Sequence, residues 1–202
     1  MLGLPSRSLT EFEELVYMYA SRLDLEGAHT EVSKPACTAP SPREDLAQAN
    51  RWNQGWSIRT NVRFDSANPA TPATPANHGQ TASRAEPAQA SFILTITPNL
   101  CNHFDNLHGG SASTIIDILS TTILLAVSRP GVFSLGGVSR HLDLTYLRPA
   151  PRDVDVRVRS EVVQLGKRLA LLRAVIERLD TGEVCVVAAH EKVNTDPEVA
   201  KA

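Results

Sequence analysis

The sequence predicts an α+β fold in which a curved antiparallel sheet wraps one long, apolar helix. Three observations carry this. Residues 107–128 hold an apolar stripe at 3.6-residue spacing. Four strand-like segments follow in a row, at 133–147, 153–165, 168–179 and 183–193, and one or two further strands precede the helix. Strands joined in succession pair antiparallel, and the helix stripe has to be covered by the sheet they form.

Each element has its own local signal. Residues 9–23 (LTEFEELVYMYASRL) read as a short amphipathic helix, with Thr10 and Glu13 at capping-box spacing. Residues 28–45 carry Pro35, Pro40 and Pro42 and read as loop. Trp56, Ile58, Thr60, Val62 and Phe64 alternate, so 56–64 reads as a strand. The stretch 66–90 (SANPATPATPANHGQTASRAEPAQA) is low-complexity Ala/Pro/Thr and reads as a disordered insertion between two strands. Such an insertion costs little, because loop-closure entropy grows only logarithmically with length.

Ser91–Thr97 reads as a strand ended by Pro98. The helix after it places Ala112, Ile115, Ile116, Leu119, Ile123, Ala126 and Val127 on one stripe, and Pro130-Gly131 stops it. Val154, Val156 and Val158 alternate with Asp153, Asp155, Arg157 and Arg159, which indicates one wet face. Asp180-Thr181-Gly182 reads as a tight turn. A helix wrapped by such a sheet is the hotdog arrangement. The chain therefore divides into an N-terminal helix-and-loop extension (1–55), a hotdog domain (56–194) interrupted at 66–90, and a short tail (195–202).

Composition excludes several classes. A net charge of −2 gives no electrostatic case for nucleic acid or a membrane surface. Cys37, Cys101 and Cys185 are odd in number and far apart, which suggests no disulfide framework and a reducing compartment. Glu11, Glu13 and Glu14 speak against a targeting leader. The longest apolar stretches read as too short for a membrane span. A cytoplasmic protein is expected, with mitochondria as the alternative.

The informative stretch runs from Asn102 through His108-Gly109-Gly110 to Asp117. A strand ends, the chain turns, and two glycines open the helix. Helix N-termini present unpaired N–H groups and partial positive charge. Glycine lets a ligand approach that backbone without a Cβ in the way. Such a site suits a carbonyl oxygen that gains negative charge during attack. Gly109 is the candidate oxyanion donor, and Asn102 the residue that positions the carbonyl or the water. Asp117 lies off the apolar stripe, in line with Gly110, Ser113 and Thr121. A lone helical aspartate reads by default as a solvated charge. Its neighbours Ile116, Ile118 and Leu124 argue against that.

Four motifs in order resemble a known family: Asn-x5-His-Gly-Gly-x6-Asp (102–117), Gly-Val-Ser (137–139), Thr-Tyr-Leu-Arg-Pro-Ala (145–150) and Gly-Lys-Arg-Leu-Ala (166–170). They resemble the hotdog-fold acyl-CoA thioesterases of the acyl-CoA thioesterase 13 (thioesterase superfamily member 2) and PaaI-like group, over about 56–194. The resemblance implies an acyl-CoA or acyl-carrier-protein thioester as substrate, with no cofactor and no metal. It implies that Asp117 is the catalytic carboxylate, as general base or nucleophile, that Gly109 is the oxyanion amide, and that Asn102 holds the thioester or water. Ser139 would assist the water. Tyr146, Arg148 and Pro149, with Gly166, Lys167 and Arg168, would line the CoA portion. It also implies a homodimer with two shared sites, or a tetramer built as a dimer of dimers.

Lys167 and Arg168 make independent sense as a phosphate clamp at a turn, although two exposed turn cations are the plainer reading. His108 and Gly110 flank the oxyanion position and join the substrate-binding set. The strand after Ser139 is unusually polar. By alternation Ser139, His141 and Asp143 share a face, so His141 is a candidate acid/base or acyl-recognition residue, or a hydrogen-bonded wall residue.

Other chemistries have less to stand on. No Gly-x-Ser-x-Gly elbow occurs. Cys101, His103 and His108 match no standard zinc spacing, and Cys101 fits a small buried hydrophobe better than a nucleophile. A hotdog hydratase or dehydratase, using His108 or His141 beside the carboxylate, and a non-catalytic acyl-CoA binder remain the alternatives.

Overall fold

The computed structural model describes residues 8–22, 62–73 and 85–197. The first helix, α1 (Glu11–Arg22), begins where Thr10 and Glu13 cap each other. Thr10 N donates to Glu13 Oε2 at 2.9 Å, and Glu13 N donates to Thr10 Oγ1 at 3.3 Å. Glu13 is buried and its Oε1 also accepts from Ala67 N at 3.5 Å, tying the helix to the first strand.

The remaining elements are β1 (Val62–Asn68), β2 (Gln89–Thr95), α2 (Gly109–Ala126), β3 (Val138–Tyr146), β4 (Asp155–Leu165), β5 (Leu169–Arg178) and β6 (Val184–Val193). The strands form one antiparallel sheet in the order β1-β2-β4-β5-β6-β3. The sheet packs on α2, which is the hotdog fold that the sequence predicts. β3 follows the helix in sequence but lies at the sheet edge beside β6.

The apolar stripe of α2 is spent on this sheet. Ala112, Ile115, Ile116, Leu119 and Ile123 are all but fully buried, and Ala126 and Val127 are half-buried at its end. β4 packs on the same helix and buries Val156, Val158 and Val162. The other face of the sheet is wet, as expected. There Arg157 bridges Asp65 at 3.1 Å and Glu177 at 3.3 Å, and Arg159 reaches Glu177 at 2.8 Å.

Four expectations need correction. The strand read over 56–64 is described only from Val62, and it runs on to Asn68; Trp56–Asn61 lie outside the described residues. The 66–90 insertion is narrower than its composition suggests. Ser66–Asn68 belong to β1, Gln89 and Ala90 to β2, and Thr71 and Glu86 bridge through two backbone hydrogen bonds of 3.0 Å. Ala67, Ala88 and Ala90 are buried, so pairing and packing override the weak strand preference of alanine. Residues 74–84 of that stretch lie outside the described part, as does Cys37.

The strand expected from 133 begins only at Val138. Phe133, Gly136 and Gly137 take positive φ angles of 60°, 76° and 62° and turn the chain instead. A Cβ on Gly137 would lie 2.4 Å from the carbonyl oxygen of Val193, so only glycine fits there. Finally, α2 is long and apolar enough to cross a membrane by length and composition, with mean hydropathy 1.3 over 18 residues. This corrects the expectation that every apolar stretch is too short to span. Its burial under the sheet is the core-helix reason for the same composition.

Candidate active site

Asp117 sits in the middle of α2, half-exposed, and three side chains from outside its own turn of helix converge near it. Ser139 Oγ donates to Asp117 Oδ1 at 2.7 Å. His190 Nε2, on β6, lies 3.2 Å from the same oxygen and 2.9 Å from Ser139 Oγ. Behind it, His190 Nδ1 meets Ser120 Oγ at 2.7 Å. Lys192 Nζ donates to Thr121 Oγ1 at 3.0 Å, and Thr121 donates to the main-chain carbonyl of Asp117 at 2.7 Å. Asp117 Oδ2 accepts no hydrogen bond among the described residues.

The two basic groups here are buried. His190 is 0% exposed and Lys192 4%. Burial and the Lys192 ammonium push the His190 imidazole down to about 4, with Asp117 opposing. Burial likewise lowers the Lys192 ammonium, again opposed by Asp117. The imidazole is therefore neutral at pH 7.

A β-bulge decides which residues join this cluster. The register of β3 against β6 slips between Ser139 and His141, so Ser139 pairs with Lys192 while Leu142 pairs with His190. Ser139 consequently faces the helix. His141 and Asp143 point to the opposite face, and both are exposed. Simple alternation had put all three together; the extra residue at Arg140 breaks it.

The N-terminal end of α2 forms a second feature, a cleft of about 440 Å³ lined by Asn102, Gly109, Tyr146, Arg148 and Pro149 with apolar walls that include Leu107 and Val186. His108 caps the helix, its Nδ1 accepting from Gly110 N at 2.9 Å. This occupies the Gly110 amide, and neither residue lines the cleft. The Gly109 amide has no acceptor among the described residues. Tyr146 Oη donates to the Gly109 carbonyl at 2.9 Å and lies over the glycine, where a Cβ would meet the hydroxyl at 3.2 Å.

Asn102 spends its Oδ1 on the turn, accepting from Phe104 N at 2.9 Å and Asn106 N at 3.3 Å. Its Nδ2 is the end left to face a ligand. Arg148 lies 3.5 Å from Glu183 and donates to the Val184 carbonyl at 3.1 Å. Burial pushes the thiols of Cys101 and Cys185 up, which suits the inert reading of Cys101.

Gly166, Lys167 and Arg168 form the β4–β5 turn, held by Asn194, whose Nδ2 donates to the Lys167 carbonyl at 2.9 Å. Neither cation side chain pairs with an acid among the described residues. This turn is not near the Gly109 cleft of its own chain. Leu169 aligns with Val193 and Val138, whereas Tyr146 aligns with Val186 and Ile176. Seven residues of strand separate the two ends, about 23 Å. Asp117 and Gly109, eight residues apart on α2, are about 12 Å apart along the axis.

His190, Lys192 and Ser120 are the residues that sequence reasoning missed. The signal was present: strict alternation in β6 puts Val186, Ala188, His190 and Lys192 on one face, and that face is the buried one.

Known proteins agree with this architecture. Residues 104–185 match the thioesterase superfamily. Human acyl-coenzyme A thioesterase 13 is 29% identical over 112 residues, which cover 55% of this chain and 77% of that protein. Zebra fish thioesterase superfamily member 2 superposes with a TM-score of 0.55 at 20% identity, over 76% of this chain and 99% of that one. The E. coli PaaI protein from the phenylacetic acid degradation operon gives 0.51 at 14% identity, over 75% and 90%. At such identities the superpositions bear on fold alone, and fold leaves the chemistry to the residues. Motif order, superfamily match and scaffold converge on the hotdog-fold thioesterases as the proteins to which this chain is similar.

Proposed function

We propose that the protein hydrolyses an acyl-CoA thioester to the free acid and CoA, at a site shared between two chains. The single observation that carries this reading is the Asp117 carboxylate, held at Oδ1 by Ser139 while Oδ2 is left without a partner among the described residues. As general base, Asp117 takes a proton from water whose oxygen attacks the thioester carbon. The carbonyl oxygen gains charge and is met by the Gly109 amide at the positive end of α2. Asn102 Nδ2 helps to hold that carbonyl. The thiolate leaves and recovers the proton from Asp117. The alternative use of Asp117 as nucleophile, through a mixed anhydride, employs the same residues. No metal or cofactor enters either route.

Two chains are required because of distance. Attack needs atoms roughly 3–3.5 Å apart, and one helix cannot bring its residues 109 and 117 that close. A two-fold axis that lays two α2 helices side by side in opposite directions would set Asp117 of one subunit opposite Gly109 of the other. Edge strand β3, with Val138 and Tyr146 about half exposed at its ends, is the natural place for the second copy. The same operation would bring the turn cations Lys167 and Arg168 of one subunit towards the cleft of its partner, where a CoA phosphate would lie.

The test is release of free thiol, trapped by a chromogenic disulfide, across short, long, aromatic and 3-oxo acyl-CoAs. Turnover that vanishes in Asp117→Asn supports the reading. Turnover only of acyl-carrier-protein thioesters would transfer it to that carrier. Hydration of an enoyl thioester without thiol release would favour the hydratase alternative. For that alternative His108 is tied up as a helix cap, His141 is on the wrong face, and His190 has no exposed surface.

A further inference from the structure

His190 is a buried titratable group that the hydrolysis outlined above does not use. Both of its ring nitrogens have partners, as buried polar groups require, and the partners fix where its proton sits. An ionised carboxylate can only accept. Ser139 has one hydroxyl hydrogen, and the shortest contact, 2.7 Å, directs it to Asp117 Oδ1. His190 Nε2 then faces two acceptors, Ser139 Oγ at 2.9 Å and Asp117 Oδ1 at 3.2 Å. Nε2 must carry the hydrogen. Nδ1 is left as an acceptor, and the Ser120 hydroxyl, itself 0% exposed, donates to it at 2.7 Å rather than to the Asp117 carbonyl at 3.4 Å.

We propose that His190 is a positioning residue for Asp117: in the Nε2–H tautomer, with Ser120 donating to Nδ1, it joins Ser139 in holding Oδ1, so that Oδ2 is the oxygen left to act. The hydrogen-bond chain runs in one direction, from Ser120 through His190 to Ser139 and Asp117. Three elements supply it: Ser120 and Asp117 from α2, His190 from β6, and Ser139 from β3 through the bulge at Arg140. Two donors on one oxygen stop the carboxylate from turning about its Cβ–Cγ bond. The low basicity of the imidazole, at about 4, keeps it a neutral donor rather than a competing proton store. This role rests on Asp117 being the reacting carboxylate.

Two measurements test it. The first compares thioester hydrolysis by wild type, His190→Leu, His190→Gln and Asp117→Asn. Loss of one hydrogen bond to a charged group should lower kcat of His190→Leu about 10- to 100-fold with KM nearly unchanged. His190→Gln, whose amide can donate from a similar position, should regain most of it. His190→Leu within about threefold of wild type, alongside an inactive Asp117→Asn, would overturn the positioning role and leave the hydrolytic reading intact. The second measures ring nitrogen-15 shifts of His190 in the wild-type protein at pH 7, and does not depend on any variant folding. A neutral ring with its proton on Nε2 is expected. An imidazolium or an Nδ1–H ring would overturn the proposal, even where the enzyme is active. Failure of the hydrolytic reading would look different: no thiol release by wild type, whatever the tautomer.

Discussion

Ser139 and Asp117 stand 22 residues apart in sequence, yet the serine hydroxyl lies 2.7 Å from the carboxylate oxygen because a one-residue bulge turns Ser139 inward. In an unbulged strand Ser139 would share the outer face of His141 and Asp143. The β-bulge, rather than the serine alone, completes this part of the site.

The first prediction follows from that contact. Asp117→Asn keeps the size of the side chain and removes the carboxylate, and should lower kcat by about 10²–10⁴-fold. Ser139→Ala should cost less, about 10- to 100-fold, since it removes one donor to Oδ1. Combined, the two should be no worse than Asp117→Asn alone, because the serine acts through the carboxylate. Steady-state kinetics of the four proteins check this, and additive losses would separate the two roles.

Stability should depend on pH through His190. Its folded value of about 4 lies below the ordinary 6.5, so between those limits the unfolded chain binds the extra proton. This contribution is intact above about pH 6.5, is lost as pH falls to about 4, and levels off below. Asp155, Asp180 and Asp196, whose carboxyls are held low by their hydrogen-bond partners, also lose stability in acid. The melting temperature of His190→Gln, measured in parallel, isolates the histidine. Its curve should run flatter than wild type from pH 6.5 to 4, and superimposable curves would refute the assignment.

Lys167→Ala with Arg168→Ala should raise KM for CoA esters and leave kcat nearly unchanged, the signature of lost uniform binding. The exposed setting of both side chains makes a large fall in melting temperature unexpected. The KM effect should shrink for pantetheine thioesters, which lack the nucleotide phosphates. Equal losses on both substrates would speak against a phosphate clamp.

The 66–90 stretch should behave as two kinds of chain. Replacing 74–84 with a short Gly/Ser connection leaves the Thr71–Glu86 bridge in place and should keep the melting temperature within a few degrees. Removing all of 66–90 takes away buried Ala67, Ala88 and Ala90 together with the edges of β1 and β2, and should abolish folding. Thermal unfolding of the two variants distinguishes these outcomes.

Much of this architecture was legible in the sequence because periodicity reports burial directly. The α2 stripe and the valine alternation of β4 each point to one face, and the structure buries those faces. The capping box at Thr10 and Glu13 was legible for the same local reason. What alternation could not show is where it breaks. The bulge at Arg140 depends on pairing with β6, a partner about 50 residues away, so His141 was grouped with the wrong neighbours. His190 is hard to single out in the sequence, because a histidine beside Glu191 and Lys192 resembles a charged surface run. Only the period-2 reading of β6, followed to its end, places it and Lys192 inside. The Gly109 cleft and its Tyr146 cover were marked by motif resemblance, whereas the His108 cap is a matter of rotamer and could not be read from order alone.

The last prediction concerns the division of the site between chains. The Gly109 cleft and the Asp117 cluster belong to opposite ends of a path about 12 Å long, and Asn102 lies with the former while Ser139 lies with the latter. If each site takes its cleft from one subunit and its carboxylate from the other, Asp117→Ala and Asn102→Ala damage opposite halves. Each homodimer should be nearly inactive. A hybrid dimer has one site with both lesions and one with neither. Random exchange makes about half of the dimers hybrids, each with one intact site of two, so the mixture should recover about a quarter of wild-type activity. Neither variant should disturb the core, since Asp117 is half-exposed and Asn102 borders the cleft. Native mass spectrometry should first confirm that hybrids form. Recovery near a quarter would establish a site shared across the two-fold. Hybrids without recovery would confine each site to one chain, and then Asp117 and Gly109 could not act on the same thioester.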